Sequence, residues 1–159
     1  MNPIGRQILV LDADPSERTA IHQVLVREGF DVTAVADGPS ALRQIEAKPF
    51  ALVVAEIGLP GPVDGVNTMR IARARRPELK CLFTSAFVPV CRWGGNEFDD
   101  FIAKPLDRTE LLGCVFELLE RGEPATGTVA PVLEHSCALG PQPVDGDAPT
   151  RVAPSPGTD

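Results

Sequence analysis

Four polar side chains each close an apolar run in this sequence: Asp12 after residues 8–11, Glu56 after 51–55, Ser85 after 81–84 and Lys104 after 101–103. Two carboxylates, a hydroxyl and an ammonium can do charge pairing and hydrogen bonding, provided the fold brings them together. If the four runs are strands of one open parallel sheet, it does, because the functional crevice of such a sheet lies beyond the carboxyl ends of its strands. Taken singly, a carboxylate that ends a strand is more often a loop or capping residue. Four polar strand ends in one chain point to a site.

The elements that must hold these groups follow from spacing. Short apolar runs alternate with segments of helical period five times before Arg121, the pattern of a parallel sheet covered by helices on both faces. The expected class is α/β, a (βα)5 three-layer sandwich around a central five-stranded parallel sheet. Residues 8–11 and 51–55 are apolar without alternation, as strands buried on both faces require. Asp14 can N-cap the first helix, with Pro15 at its first position and Glu17 completing an Asp-x-x-Glu capping box. Ile21, Val24 and Leu25 would face the sheet, and Gly29 stops the helix. A second strand at 32–36 leads through Asp37-Gly38 into a helix at 40–47, and a Pro/Gly-rich loop at 59–65 precedes a third helix at 66–76. Leu111, Leu112, Val115, Phe116 and Leu119 make one apolar stripe on a last helix at 107–120. Between strands four and five, Pro89, Gly94 and Gly95 interrupt the pattern, so that helix is expected to be short or frayed, with Trp93 either packed or an anchor for a partner. The chain divides into an extension at 1–6, a folded domain at 7–121 and a Pro/Gly-rich tail at 122–159 with the composition of a disordered segment.

Length and charge limit what such a domain can be. The 159 residues suffice for one domain and a tail. No apolar run approaches the roughly 18 to 20 residues that span a bilayer, and the start lacks the pattern of a signal peptide, so no membrane association and a cytoplasmic location are expected. A formal net charge of -7 opposes nucleic-acid phosphates, which leaves protein partners, with the chain itself a monomer or weak homodimer. Cys81, Cys91, Cys114 and Cys137 form no CxxC pair and have no histidine at metal-ligand spacing, which argues against a zinc site or a disulfide framework. The first three read as small buried hydrophobes. The turn at 12–15 is acidic and lacks a glycine-rich phosphate cradle, which counts against flavin or nucleotide.

The stretches ILVLDADPSER, ALVVAEIGLPG with Asp64-Gly65 behind it, LFTSAF and DFIAKPL resemble the response-regulator receiver family over residues 7–120. The resemblance implies a flavodoxin-like fold and a non-enzymatic role in bacterial two-component phosphorelay signalling, with a sensor histidine kinase or another regulator as partner. In that family a strand-three Asp takes a phosphoryl group from a kinase phosphohistidine, an acidic pair after strand one holds Mg2+, and a Ser or Thr and a Lys bind the phosphoryl oxygens. Carried over by resemblance, Glu56 stands at the acceptor position, Asp12 at the first acidic position, Ser85 at the hydroxyl and Lys104 at the lysine. Phe101 takes the switch-aromatic place, Thr84 is the alternative hydroxyl if the strand-four register shifts by one, and Lys104-Pro105 is implied to be cis. No helix-turn-helix pattern follows Glu120, so a stand-alone receiver acting through a protein partner is expected.

Two departures from the family pattern shape the expected behaviour. Ala13 stands where the second acid belongs, so one oxygen ligand for a hard octahedral cation is missing, and Mg2+ held by Asp12 and Glu56 is expected to be weak at best. Glu56 is one methylene longer than the family's Asp, and a misplacement of about 1 Å can cost on the order of 10²-fold in a transfer that depends on positioning. Its longer reach lets Glu56 pair with Lys104 and accept a hydrogen bond from Ser85, which either imitates part of a phosphorylated site or merely locks one conformation. Both outcomes make a phosphorylation-independent or weakly phosphorylated interaction switch. Two alternatives stay open: an ordinary receiver phosphorylated on Glu56, and a flavodoxin-like enzyme or flavin carrier.

Overall fold

The computed structural model describes residues 4–87 and 99–121. The expectations for the helix between strands four and five, for Cys91 and Trp93, and for the tail with Cys137 lie outside these residues. Along the chain the elements are β1 (Gln7–Leu11), α1 (Pro15–Arg27), β2 (Asp31–Val35), α2 (Gly38–Ala47), β3 (Leu52–Glu56), α3 (Gly65–Arg75), β4 (Lys80–Ser85), β5 (Asp100–Ala103) and α4 (Arg108–Glu120). The strands form one five-stranded sheet in the order β2-β1-β3-β4-β5, and every pairing is parallel. The chain runs outward from β1 to β2 and then returns to the other side of β1, so the reversal of strand order falls between β1 and β3.

Period-two alternation in the central strands divides their apolar side chains between two layers. Leu9, Leu11, Val53, Ala55, Cys81 and Phe83 pack with Ala41, Ile45 and Met69 from α2 and α3. Ile8, Val10, Leu52, Val54, Leu82 and Ile102 pack on the opposite face with Ile21 and Leu25 of α1 and Leu111, Val115 and Leu118 of α4. The unalternating sequence of β1 and β3 therefore does what it predicts: both parities are buried. Cys81 is fully buried, and that burial pushes its thiol well up from its ordinary value. Cys114 is only half-buried; burial first, then the nearby Asp100 carboxylate, raise it to about 11.

Each described helix starts at an aspartate. Asp14, Asp37, Asp64 and Asp107 have extended backbones, and their carboxylates accept first-turn amides, which satisfies donors that the helix itself leaves open. Asp37 moves the start of α2 to Gly38, ahead of the expected residue 40, because its carboxylate takes the Ser40 amide at 2.7 Å. The last helix likewise begins one residue past its expected start, with Asp107 as the cap.

The β3–α3 connection depends on Gly65, at the first position of α3. A methyl group there would lie 1.9 Å from the carbonyl oxygen of Glu56 and 3.2 Å from Cα of Ile57. Both are backbone atoms, so neither can rotate away. Gly65→Ala is expected to destabilise the domain by about 1 to 3 kcal/mol, the usual cost of overpacking; urea unfolding at an unchanged m-value checks this, and a midpoint equal to wild type contradicts it.

Candidate functional site

The alternation that sorts the core also aims the charged residues. Glu56 has the parity of Leu52 and Val54, and Lys104, one residue past β5, continues the parity of Ile102; Asp12 likewise follows Ile8 and Val10. All three reach the carboxyl edge of the sheet on the α1/α4 side. There the Lys104 ammonium donates to Asp12 Oδ2 at 3.0 Å and to Glu56 Oε1 at 3.0 Å, and it also contacts Glu17 Oε2 from the first turn of α1. The lysine side chain is 7% exposed and that of Asp12 1%, while Glu56 is 17% and Glu17 42% exposed.

The remaining carboxylate oxygens are also engaged in part. Asp12 Oδ1 accepts the Asp14 amide at 2.8 Å, and Glu56 Oε2 accepts the Ala13 amide at 3.2 Å. Arg18 closes the turn from behind, donating to the carbonyls of Asp12 at 2.7 Å and Ala13 at 3.2 Å. Asp14 points at the helix, accepting the Ser16 and Glu17 amides; these bonds, led by the Glu17 amide, hold its carboxyl below the ordinary value. The capping box is therefore half formed. Asp12 takes the Asp14 amide that Glu17 was expected to bond, and the Glu17 carboxylate turns to Lys104 instead.

The hydroxyls behave differently from expectation. Ser85 shares the parity of Cys81 and Phe83, on the opposite face of the sheet from Glu56. The expected hydrogen bond from Ser85 to Glu56 is not formed; Ser85 Oγ accepts the amide of Phe87 at 3.1 Å. Thr84, not Ser85, lies opposite Glu56 in the strand register. It is fully buried, and its Oγ1 has no hydrogen-bond partner among the described residues. Phe101 is half-buried, pairs in register with Phe83 and packs on the α2/α3 layer. The Lys104-Pro105 bond is cis.

Electrostatics follow from the packing. Burial raises the Asp12 carboxyl above its ordinary value, with the Glu56 charge adding to the rise and the Lys104 and Asp14 hydrogen bonds opposing it. Burial alone would depress the Lys104 ammonium, but contacts with Glu17, Asp12 and Glu56 outweigh it and raise the lysine above 10.5. A hard cation such as Mg2+ needs a near-octahedral set of oxygen ligands. The residues present do not fit it: Ala13 supplies no carboxylate, and both oxygens of Asp12 and of Glu56 already accept internal donors. Among the described residues no group of three or more His, Cys, Asp or Glu side chains is placed to hold a metal.

With this geometry in view, the model of the response regulator receiver domain matches residues 8–116, well over half of the chain. The chain belongs to the response regulator receiver family. The family's domains are generally non-enzymatic modules of two-component signalling. Among curated relatives, the receiver is 32% identical over 125 residues to the DNA-binding response regulator MtrA of Mycolicibacterium smegmatis, covering 77% of this chain and 54% of that protein. It is 34% identical over 114 residues to the DNA-binding transcriptional regulator NtrC of Rhizobium meliloti, covering 70% and 23%. The chain thus spans about half or less of the length of these relatives. Among solved structures, a response regulator receiver protein from Sinorhizobium medicae superposes with a TM-score of 0.66 at 26% identity, covering 74% of this chain and 96% of that one. A CheY-like receiver from Methanospirillum hungatei gives 0.65 at 25%, covering 72% and 94%. These likenesses agree with the flavodoxin-like α/β fold expected from the sequence.

Sequence reasoning located Asp12, Glu56 and Lys104 but missed Glu17 as a member of the cluster and Ala13 as an amide donor to it. The signal for Glu17 was its position in the first turn of a helix that starts beside Asp12, and the capping-box pattern absorbed it. Lys104→Met removes the cation and leaves Asp12 buried without its partner, which is expected to cost about 3 to 5 kcal/mol near pH 7. In the variant the folded state holds its carboxyl protons to higher pH than the unfolded chain does, so stability rises as pH falls. The deficit relative to wild type should narrow toward about pH 4; a gap of constant size across that range, measured by urea unfolding, contradicts the assignment.

Proposed function

We propose that this receiver works as a two-component signalling switch whose resting state is set by the Glu56–Lys104 ion pair rather than by a phosphoryl group. The observation that carries the reading is the 3.0 Å contact between Lys104 Nζ and Glu56 Oε1 in a site where Lys104 is 7% exposed. Glu56, at the acceptor position, brings to the lysine the anionic oxygen that a phosphoryl group would otherwise bring. Its second oxygen is tied to the Ala13 amide, so the carboxylate is held on both sides and is poorly placed to attack an incoming phosphorus. Mg2+ would bind weakly, because entry must break bonds that the cluster already makes. In this reading Asp12 and Lys104 position Glu56, Thr84 packs beside it, and Ser85 and the switch aromatic Phe101 lie on the opposite face of the sheet.

The output would pass through a protein partner, a sensor histidine kinase or another regulator, from a folded unit at 7–121 in the cytoplasm. A net charge of -7 disfavours nucleic acid as a direct ligand, and among the described residues no helix is long and apolar enough to cross a membrane. The relatives named as DNA-binding extend well beyond the region this chain shares with them.

Incubating the protein with phosphoramidate and Mg2+ tests the reading. Wild type is expected to take up at least about 10²-fold less label at Glu56 than the Ala13→Asp, Glu56→Asp double variant, by the positioning argument. Stoichiometric labelling of wild type at Glu56 would overturn it.

A further inference from the structure

We propose that Glu17 is a gate on the cluster: it pairs with the Lys104 ammonium beside Asp12 and Glu56 and gives that contact up only when a small oxyanion enters. The inference rests on the ion-pair reading of Glu56 above. A lysine ammonium has three N–H donors and no acceptor. Here three carboxylates surround it, from Asp12, Glu56 and Glu17. Three anions already crowd the ammonium, so an incoming oxyanion must displace one of them.

The three are not equally easy to displace. Asp12 is buried and anchored through its other oxygen by the Asp14 amide. Glu56 is anchored through its other oxygen by the Ala13 amide. Glu17 is 42% exposed, and among the described residues its carboxylate has no ion-pair partner besides Lys104. Its other natural seat, the Asp14 amide of a capping box, is already taken by Asp12. Solvent can compensate the Glu17 charge on release, as it cannot for Asp12.

Glu17 also has somewhere to go. It borders a cavity of about 250 Å³ lined also by Ala20, Pro105, Leu106, Asp107 and Arg108. Arg108, on the cavity's rim, already pairs with Glu28 at 2.8 Å, so a carboxylate that swings off Lys104 into this partly open space is compensated chiefly by water. The geometry thus orders the exchange: Glu17 leaves, the oxyanion takes its donor, and Asp12 and Glu56 stay in place.

Inorganic phosphate at constant ionic strength is the probe, read on the Lys104 ammonium resonance in 1H–15N spectra of the full chain. Glu17→Gln is expected to bind phosphate about tenfold more tightly than wild type, since a competing anion no longer has to be displaced from the ammonium first. Glu78→Gln removes the same charge from an exposed loop and should bind as wild type does. Equal phosphate affinity in wild type and Glu17→Gln, or an equal gain in Glu78→Gln, overturns the gate. An unshifted Lys104 resonance in phosphate-free Glu17→Gln overturns it as well. The two readings fail separately: stoichiometric labelling of wild type ends the ion-pair reading, whereas unlabelled proteins with equal phosphate affinity end only the gate.

Discussion

A primary ammonium with 7% of its side chain exposed is the constraint around which this domain is arranged. Taking such a charge out of water costs several kcal/mol even after relaxation, and the cost is offset only by well-placed anions with their remaining hydrogen bonds satisfied. Lys104 finds those anions at the ends of β1 and β3 and in the first turn of α1. Three carboxylates more than neutralise one ammonium. At the most buried member, Asp12, burial first and the Glu56 charge second shift the carboxyl toward the protonated form.

Under the proposed reading, that excess of carboxylates is what sets this site apart from one that receives a phosphoryl group. A phosphoryl group adds negative charge, and a pocket prepared for it needs spare cationic and donor capacity. Here the lysine and the nearby amides are directed at the protein's own carboxylates. Where the family pattern has a second acid, this chain has Ala13, and its backbone amide donates to Glu56. The loss of an acidic side chain at position 13 and the longer reach of Glu56, which meets a backbone amide that any non-proline residue there would present, act together. One removes an acceptor for a cation; the other supplies an acceptor for the amide.

The framework that delivers these groups was largely legible in the sequence. The apolar runs of β1 and β3 marked strands buried on both faces, and Asp14 marked the start of the first helix, because an unpaired first-turn amide needs an acceptor whatever the tertiary context. Asp12, Glu56 and Lys104 were found because each follows such a run. Less legible was the direction of each side chain at the edge. Ser85 looked equivalent to the other three strand ends, yet it lies on the other parity, and the parallel register sets Thr84 beside Glu56 instead. Glu17 was assigned to a local capping box, and Asp12, two residues before the cap and outside the helix, took the Asp14 amide first.

Local chemistry therefore came from the sequence by itself: strand and helix order, the cap of the first helix, a parallel sheet, and the types of the groups at its carboxyl edge. These depend on interactions within a few residues and on periodicity, which the order of amino acids states directly. The partners of Lys104, the loss of Ser85 from the cluster and the recruitment of Glu17 were decided by tertiary structure. They join residues as far apart as Asp12 and Lys104 through the β1-β3-β4-β5 register. The physical reason is competition: when several donors and acceptors meet in one buried space, each bond formed removes a choice from the others, and only the packed geometry determines which bonds those are.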